Sequence, residues 1–194
     1  AASDVYKRQG YTGAELIRLI SKHPHFQLNQ VIANRNADKK IQDIFPHLRH
    51  LNLPDFINFD QIDFDNVDLI FCALPHATSQ EIIVKIPKGR KIIDLSADFR
   101  LESIEEYERW YGTKHIANSL QKKAVYGLTE IYKEKIKKGS LIACTGCNSA
   151  ATLYPVLPLL NEGIINCDNL TINLGAGVSG CLLYTSPSPR DLVI

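Results

Sequence analysis

Cys147 lies in the run Ala143-Cys144-Thr145-Gly146-Cys147-Asn148-Ser149-Ala150. Gly139 to Ala143 before it read as a turn and a buried strand, and Ala150 to Leu160 after it as an apolar helix. That pattern predicts a thiol on a strand-to-helix turn, at the positive end of a helix. There the dipole and the free backbone N–H groups favour thiolate over thiol. A thiolate is the nucleophile that acyl transfer needs. The competing reading is a buried structural cysteine, because free Cys is among the most buried residue types. Gly146 before the thiol and the polar Asn148-Ser149 pair after it favour the nucleophile.

Cys144 and Cys147 also form C-x-x-C, the spacing of a redox dithiol or of half a zinc site. No second C-x-x-C and no His pair at ligand spacing follows. Cys144 ends an apolar strand run, so no metal site is expected.

A second candidate chemistry is phosphate binding. Gly10-Tyr11-Thr12-Gly13 opens a helix and matches the second half of a G-x-x-G-x-x-G loop, whose glycines let backbone approach a pyrophosphate. A plain turn into a helix is the alternative. Asn34 and Arg35 end the next strand, where the adenosine ribose of a dinucleotide would lie. A basic residue there suits a 2′-phosphate and hence NADP; the alternative is a solvated loop arginine.

The elements that must position these residues alternate. Gly13 to Lys22 places Leu16, Ile17, Leu19 and Ile20 on one helical face, stopped by Pro24. Phe26 to Ala33, Val67 to Leu74 and Lys91 to Leu95 read as strands. Ser79 to Ile86, Ile104 to Trp110 and Glu130 to Lys138 read as helices. The strand into Cys144, the helix to Leu160 and a strand over Leu170 to Leu174 complete the order. Continuous apolar strands between amphipathic helices predict an α/β fold with a doubly wound parallel sheet. Ligands bind outside the C-terminal strand ends of such sheets. The unusual residues collect at those ends: Asn34-Arg35, Pro75-His76, Ser96-Ala97-Asp98 and Gly146-Cys147. His23, His25, His47, His50 and His115 sit in polar, surface-like stretches and are assigned no role.

The two ends have a different origin in this reading. Asp4 to Gln9 can be encoded by GAT GTG TAT AAG AGA CAG. Its reverse complement, shifted by one base, encodes Cys-Leu-Leu-Tyr-Thr-Ser, the residues Cys181 to Ser186. One oligonucleotide, resembling the transposase adapter of sequencing libraries, thus accounts for both ends. Gly10 to Gly180 is then the natural segment. Removing Lys7, Arg8 and Arg190 from the 22 basic residues, and Asp4 and Asp191 from the 21 acidic ones, leaves 19 of each in that segment. Neutrality gives no support for nucleic-acid or membrane-surface binding. No apolar run reaches the length a bilayer needs. The remaining Cys72, Cys144, Cys147 and Cys167 show no disulfide framework, so a reducing cytoplasm is expected.

Six runs together resemble the N-acetyl-gamma-glutamyl-phosphate reductases, enzymes of arginine biosynthesis. They are Gly10 to Leu16, Phe71 to His76, Ile93 to Arg100, Val125 to Glu130, Gly146-Cys147 and Gly177 to Gly180. They occur in family order over nearly all of Gly10 to Gly180, about the N-terminal half of such an enzyme. Leu95 to Arg100 and Ala73 to His76 are the most specific.

The resemblance implies an NADP-binding Rossmann-like domain over residues 10–146, lacking its native first strand. The start of a truncated α+β catalytic and dimerisation domain would follow over 147–180. It implies NADPH-dependent reduction of an acyl phosphate through a Cys147 thioester. By position, Gly10, Tyr11, Thr12 and Gly13 would hold the pyrophosphate, and Arg35 would meet the 2′-phosphate, with Asn34 beside it on the cofactor. Ala73, Leu74, Pro75 and His76 would border the nicotinamide, with Ser96 nearby. Arg100, Asn148, Ser179 and Gly180 would bind the substrate. For Arg100 the alternative is a salt bridge with Asp94 or Asp98.

The chain departs from the family in places. Cys144-Thr145 stand where Asn-Pro is usual, Asn148-Ser149 where Tyr-Pro is common, and Gly175-Ala176 where Lys-Ser often stands. The Gly-Cys-Asn form is also similar to the lysine-pathway reductase of carrier-bound aminoadipyl phosphate and to aspartate-semialdehyde dehydrogenases. A bare nucleotide-binding module and a C-x-x-C thiol or zinc protein remain the non-reductase alternatives. The family's catalytic histidine falls after Gly180, so the polypeptide as written is expected to be inactive; the missing first strand and the cut second domain lead to an expectation of poor folding. The whole enzyme would be a homo-oligomer.

Overall fold

The computed structural model describes residues 12–33 and 39–175, in two compact units divided between Asp68 and Leu69. Gly10, Tyr11, Asn34, Arg35, Ser179 and Gly180 lie outside the described residues, as do both adapter-like ends and the place of the first strand.

In the first unit residues 12–20 form helix α1. Ala14 and Ile17, one turn apart on its inner face, pack with Ile41, Leu48 and Phe56. Each of the larger side chains here, Ile17, Ile41, Leu48 and Phe56, contributes about 1.5–3 kcal/mol once fully buried. A short helix α2 (Ile41–Ile44) and a 3-10 turn (Pro46–Leu48) supply Ile41 and Leu48. Strand β1 (Val31–Ile32) pairs in parallel with β2 (Phe56–Ile57).

The strand expected over Phe26 to Ala33 is therefore confined to its last third. Phe26 stacks on His23, ring centroids 4.1 Å apart, and stays exposed. Gln30 uses its side-chain amide in place of a ladder, donating to Asp63 O and accepting from Asp63 N. Asn29 does likewise to Asn66 O.

The second unit holds the four-stranded sheet. Strands β3 (Leu69–Cys72), β4 (Lys91–Asp94), β5 (Val125–Gly127) and β6 (Leu141–Cys144) lie in the order β3-β4-β6-β5, and every neighbouring pair is parallel. Cys72, Ile92, Leu141 and Ala143 from the sheet pack with Ile83, Phe99 and Ala117. β5 came from no strand-like run in the sequence. Its place at the sheet edge depends on Gly127, where a Cβ would stand 2.9 Å from Ala143 O and from Cys144 Cα.

The helices follow their local signals. α3 (Ser79–Ile83) is shorter than expected, with Ile83 buried and turns following it before Pro87. In α4 (Ile104–Tyr111) the N-cap Ser103 accepts from Glu106 N, and Gly112 closes the helix at φ 64°; left-handed backbone is where glycine costs least. α5 (Asn118–Gln121) is a single turn missed by periodicity. At the end of α6 (Thr129–Lys138), the ammonium of Lys91 donates to Lys137 O and to Ile136 O, which also accepts from Gly139 N, and so helps satisfy the last carbonyls of the helix. α7 runs from Cys147 to Asn161 with Gly146 as its N-cap.

The strand expected at Leu170 to Leu174 does not form. Leu170, Ile172 and Leu174 alternate as a strand would, yet all three are exposed and the segment pairs with nothing among the described residues. A strand exists only by its ladder, and the alternating pattern alone does not supply a neighbour.

Candidate active site at the strand ends

Because the four strands are parallel, their C-terminal ends share one edge of the sheet. β3 delivers Ala73 to His76 there, β4 delivers Leu95 to Arg100, and β6 delivers Thr145 to Cys147. The predicted convergence of these segments is met.

Cys147 is the first residue of α7 and is exposed. Its Sγ lies 3.8 Å from Asn148 Oδ1. No side chain caps the helix. The N–H groups of Cys147, Asn148 and Ser149 therefore have no intrahelical acceptor, and the first bond of the helix is Ala150 N–H to Gly146 O. The buried-cysteine alternative fails for Cys147 and holds for Cys72, whose thiol burial pushes up to about 12, with the nearby Asp94 adding to it. Burial also raises Cys144, again seconded by Asp94 and opposed by Arg100. The C-x-x-C pair is thus unequal: one sulfur kept protonated in a half-buried place, one in solvent. No group of three or more metal-ligating side chains occurs among the described residues.

The turn that carries Cys147 is strapped from two sides. Arg100 donates through Nε to Cys144 O at 2.6 Å and through Nη2 to Leu95 O at 2.9 Å. It makes no salt bridge with Asp94 or Asp98; the guanidinium ties two strand ends together by their carbonyls. On the other side Tyr126 Oη and Thr145 Oγ1 share a hydrogen bond of 2.7 Å. Gly146 has an ordinary φ of −73°, so its lack of a side chain matters for space. A Cβ there would stand 3.2 Å from Arg100 Nη1.

The β4 end is organised around two buried carboxylates without a cation. Asp94 Oδ1 accepts from Ser79 Oγ (2.6 Å) and Ser96 N (3.2 Å), and Oδ2 accepts from Ser96 Oγ (2.6 Å). Burial raises the Asp94 pKa against these bonds. Ser96 is itself buried, and its hydroxyl also accepts from Asp98 N. Asp98 accepts from Ala77 N (2.7 Å), Gln80 N (3.1 Å) and Tyr107 Oη (2.9 Å).

His76 is half-buried. Its Nδ1 accepts from Ala97 N at 2.9 Å, which leaves the proton of the neutral ring on Nε2. Burial first, then Arg100, holds its pKa below the usual histidine value. Ala73, Leu74 and Pro75 are half-buried beside it. In the first unit, Thr12 and Gly13 stand in the opening turn of α1, with open space where a Gly13 Cβ would project.

Sequence reasoning missed two things here. His115, read as a surface residue, is 2 % exposed. Its Nε2 lies 2.9 Å from Asp98 O and its Nδ1 accepts from Ala117 N. Asp98 was placed at a strand end and as a possible partner for Arg100, but not as a buried acceptor of backbone donors. The available signal was the apolar company of both residues, Ala97 and Phe99 around one and Ile116-Ala117 after the other.

The donor set fits a dinucleotide that accepts hydrogen bonds. The His76 Nε2–H and the uncapped N–H groups of α7 occupy one edge, while both nearby carboxylates are turned inward and satisfied.

Comparison with known proteins agrees with this geometry. Residues 8–139 match the profile of a family described as semialdehyde dehydrogenase, NAD binding domain. The N-acetyl-gamma-glutamyl-phosphate reductase of Rhodobacter capsulatus is 52% identical over 171 residues, 88% of this chain and 50% of that protein. One from Cereibacter sphaeroides is 53% identical over the same shares. The probable chloroplastic N-acetyl-gamma-glutamyl-phosphate reductase of Arabidopsis thaliana is 50% identical over 88% of this chain and 43% of that protein. The chain spans about half the length of the curated relatives it matches. The chain therefore belongs to the semialdehyde dehydrogenase family, with residues 8–139, which include β3, β4 and β5, matching the NAD-binding domain and the thiol turn following directly after it.

Proposed function

We propose that the protein carrying this segment reduces N-acetyl-gamma-glutamyl phosphate to N-acetylglutamate semialdehyde and phosphate, in arginine biosynthesis. The observation that carries this is the exposed thiol of Cys147 at the uncapped start of α7. The Cys147 thiolate attacks the acyl carbon, the C–O bond to phosphate breaks, and a thioester forms. After reduction the C–S bond breaks, the aldehyde leaves, and the sulfur is regenerated. An oxyanion develops in both stages, and the free N–H groups of the first turn of α7 are the donors for it. NADP(H), when bound, supplies the hydride.

Gly10, Tyr11, Thr12 and Gly13 hold its pyrophosphate in this reading, and Arg35 meets its 2′-phosphate, with Asn34 beside it on the cofactor. Ala73, Leu74, Pro75 and His76 border its nicotinamide. Ser96 contributes by shaping the loop, since its hydroxyl is engaged with Asp94. Arg100 keeps Nη1 toward the Gly146 turn for the substrate anion while its other nitrogens hold the strand ends. Asn148, Ser179 and Gly180 complete the substrate side. The enzyme is read as a cytoplasmic homo-oligomer with a small-molecule substrate and no nucleic-acid or membrane partner. Among the described residues no helix is long and apolar enough to cross a membrane.

The test is NADPH oxidation by the whole protein with the acetylglutamyl, aspartyl and carrier-bound aminoadipyl phosphates in parallel, for wild type, Cys147→Ser and Cys144→Ser. Turnover of the acetylglutamyl phosphate lost only in Cys147→Ser supports the reading. Turnover of another phosphate alone overturns the substrate, and dependence on both cysteines overturns the mechanism.

A further inference from the structure

We propose that Asp98 is a positioning residue for the cofactor-side loop, fixing His76 as an Nε2–H donor through the backbone of Ala77 and the ring of Tyr107. This rests on the reading of the site given above, and it assigns a role to a residue outside the candidate ligands.

The argument begins with the donors around the carboxylate. Asp98 is 1 % exposed, and all three groups facing its oxygens donate: Ala77 N–H, Gln80 N–H and the Tyr107 hydroxyl. A carboxylate accepts from all three at once; an amide of the same shape offers one accepting oxygen and turns an NH2 toward another donor. Ala77 belongs to the turn that follows β3, and Gln80 to the first turn of α3.

The second observation is backbone strain in that turn. Ala77 has φ 68°, a left-handed conformation that a residue with a Cβ resists. Its own N–H is the group that Asp98 holds at 2.7 Å. Such strain persists only where surrounding contacts enforce it.

The third observation is that the contacts close a ring around His76. Ala97 N–H, adjacent to Asp98 in sequence, donates to His76 Nδ1. The Tyr107 ring, tied to Asp98 by its hydroxyl, stacks on Tyr111 at 4.9 Å, and Tyr111 lies 5.8 Å from the His76 ring. Asp98 thus governs the backbone after His76 and the aromatic side of its ring, while its neighbour Ala97 holds the acceptor nitrogen.

The variant Asp98→Asn keeps the shape and removes one acceptor. In the whole protein its KM for NADPH is expected to rise about tenfold, the scale of one buried donor left unpaired. The rate of Cys147 alkylation by iodoacetamide should be unchanged, because Arg100 and Tyr126 hold that turn. The 15N NMR signals of His76 should pass from a single Nε2–H tautomer to a mixture.

A wild-type KM together with an unmixed tautomer overturns the proposal. So does a KM increase accompanied by an equal change in alkylation rate, which marks a general loss of structure. If Asp98→Asn does not fold, Tyr107→Phe decides by the same readouts. It removes one donor and keeps the ring, and a rise in KM of about two- to threefold is expected. If the wild type binds no NADPH, the functional reading fails separately, and the His76 tautomer in the variant alone upholds or overturns the role of Asp98.

Discussion

Two loops at the same edge of one sheet treat their polar groups in opposite ways. At the end of β4, Asp94, Ser96 and Asp98 are at most 1 % exposed, and every carboxylate oxygen is engaged by a protein donor. After β6, the thiol and the first-turn N–H groups of α7 are left open to solvent. The first loop spends its polar groups on the protein itself. The second keeps its polar groups for a ligand, as the proposed mechanism requires. The connection between them is Arg100, which bonds the carbonyl of Leu95 on one side and of Cys144 on the other.

The contrast is broken most completely by removing the open sulfur. Cys147→Ser should lower reductase turnover of the whole protein by at least about a thousandfold, as expected when a nucleophile is lost. Cys144→Ser should stay within about threefold, because that sulfur is held as a thiol by burial and has no role in the proposed mechanism. Steady-state NADPH oxidation checks both, and mass spectrometry of iodoacetamide adducts should find Cys147 labelled ahead of Cys72 and Cys144.

Cutting the connection is the next largest effect. Arg100→Met leaves two carbonyls without their donor, and an expected loss of about 2–3 kcal/mol in urea unfolding follows from the strength of hydrogen bonds to a charged group. The Cys147 alkylation rate should also change, whereas the His76 tautomer should not, since Asp98 holds that loop independently.

A smaller distortion of the thiol turn comes from Gly146→Ala. Its Cβ would meet Arg100 Nη1 at 3.2 Å. A destabilisation of about 1 kcal/mol is expected from a contact a flexible side chain can partly relieve. Arg100→Lys in the same chain should remove much of it. At Gly127 the obstructing atoms are backbone, so Gly127→Ala should cost about 2–3 kcal/mol with no such relief.

The mildest probe is pH. His76 has a folded pKa below its unfolded value, chiefly through burial. The folded state binds fewer protons at this site, so stability is lost as pH falls through the unfolded pKa of about 6.5 toward the lowered one. Asp94 has the opposite sign. Its pKa is raised by burial, so the folded state holds the proton longer and this residue reduces stability as pH rises above about 4 through the raised value. Urea melts across pH should show the acid-side loss diminished in His76→Asn. The contribution from Asp94 should vanish in Asp94→Asn.

Much of this was legible along the chain. Strands β3, β4 and β6 fall inside the apolar runs that predicted them, and α4 and α6 keep their expected bounds to within one residue. The strand-glycine-thiol-helix order around Cys147 was readable because periodicity and turn chemistry act within one or two turns. The strand at Leu170 to Leu174 misled because alternation specifies a face and not a partner. The edge strand β5 was missed because Val125-Tyr126-Gly127 is too short to show a period.

The sequence by itself determined a parallel α/β domain with a thiol at the start of a helix, since these depend on short-range pattern. Tertiary structure alone decided that Asp98 reaches Ala77 across 21 residues, that His115 reaches Asp98 across 17, and that Arg100 straps Cys144 across 44. Such choices are made by which buried donors meet which buried acceptors once the strands are packed, and no local pattern encodes that pairing.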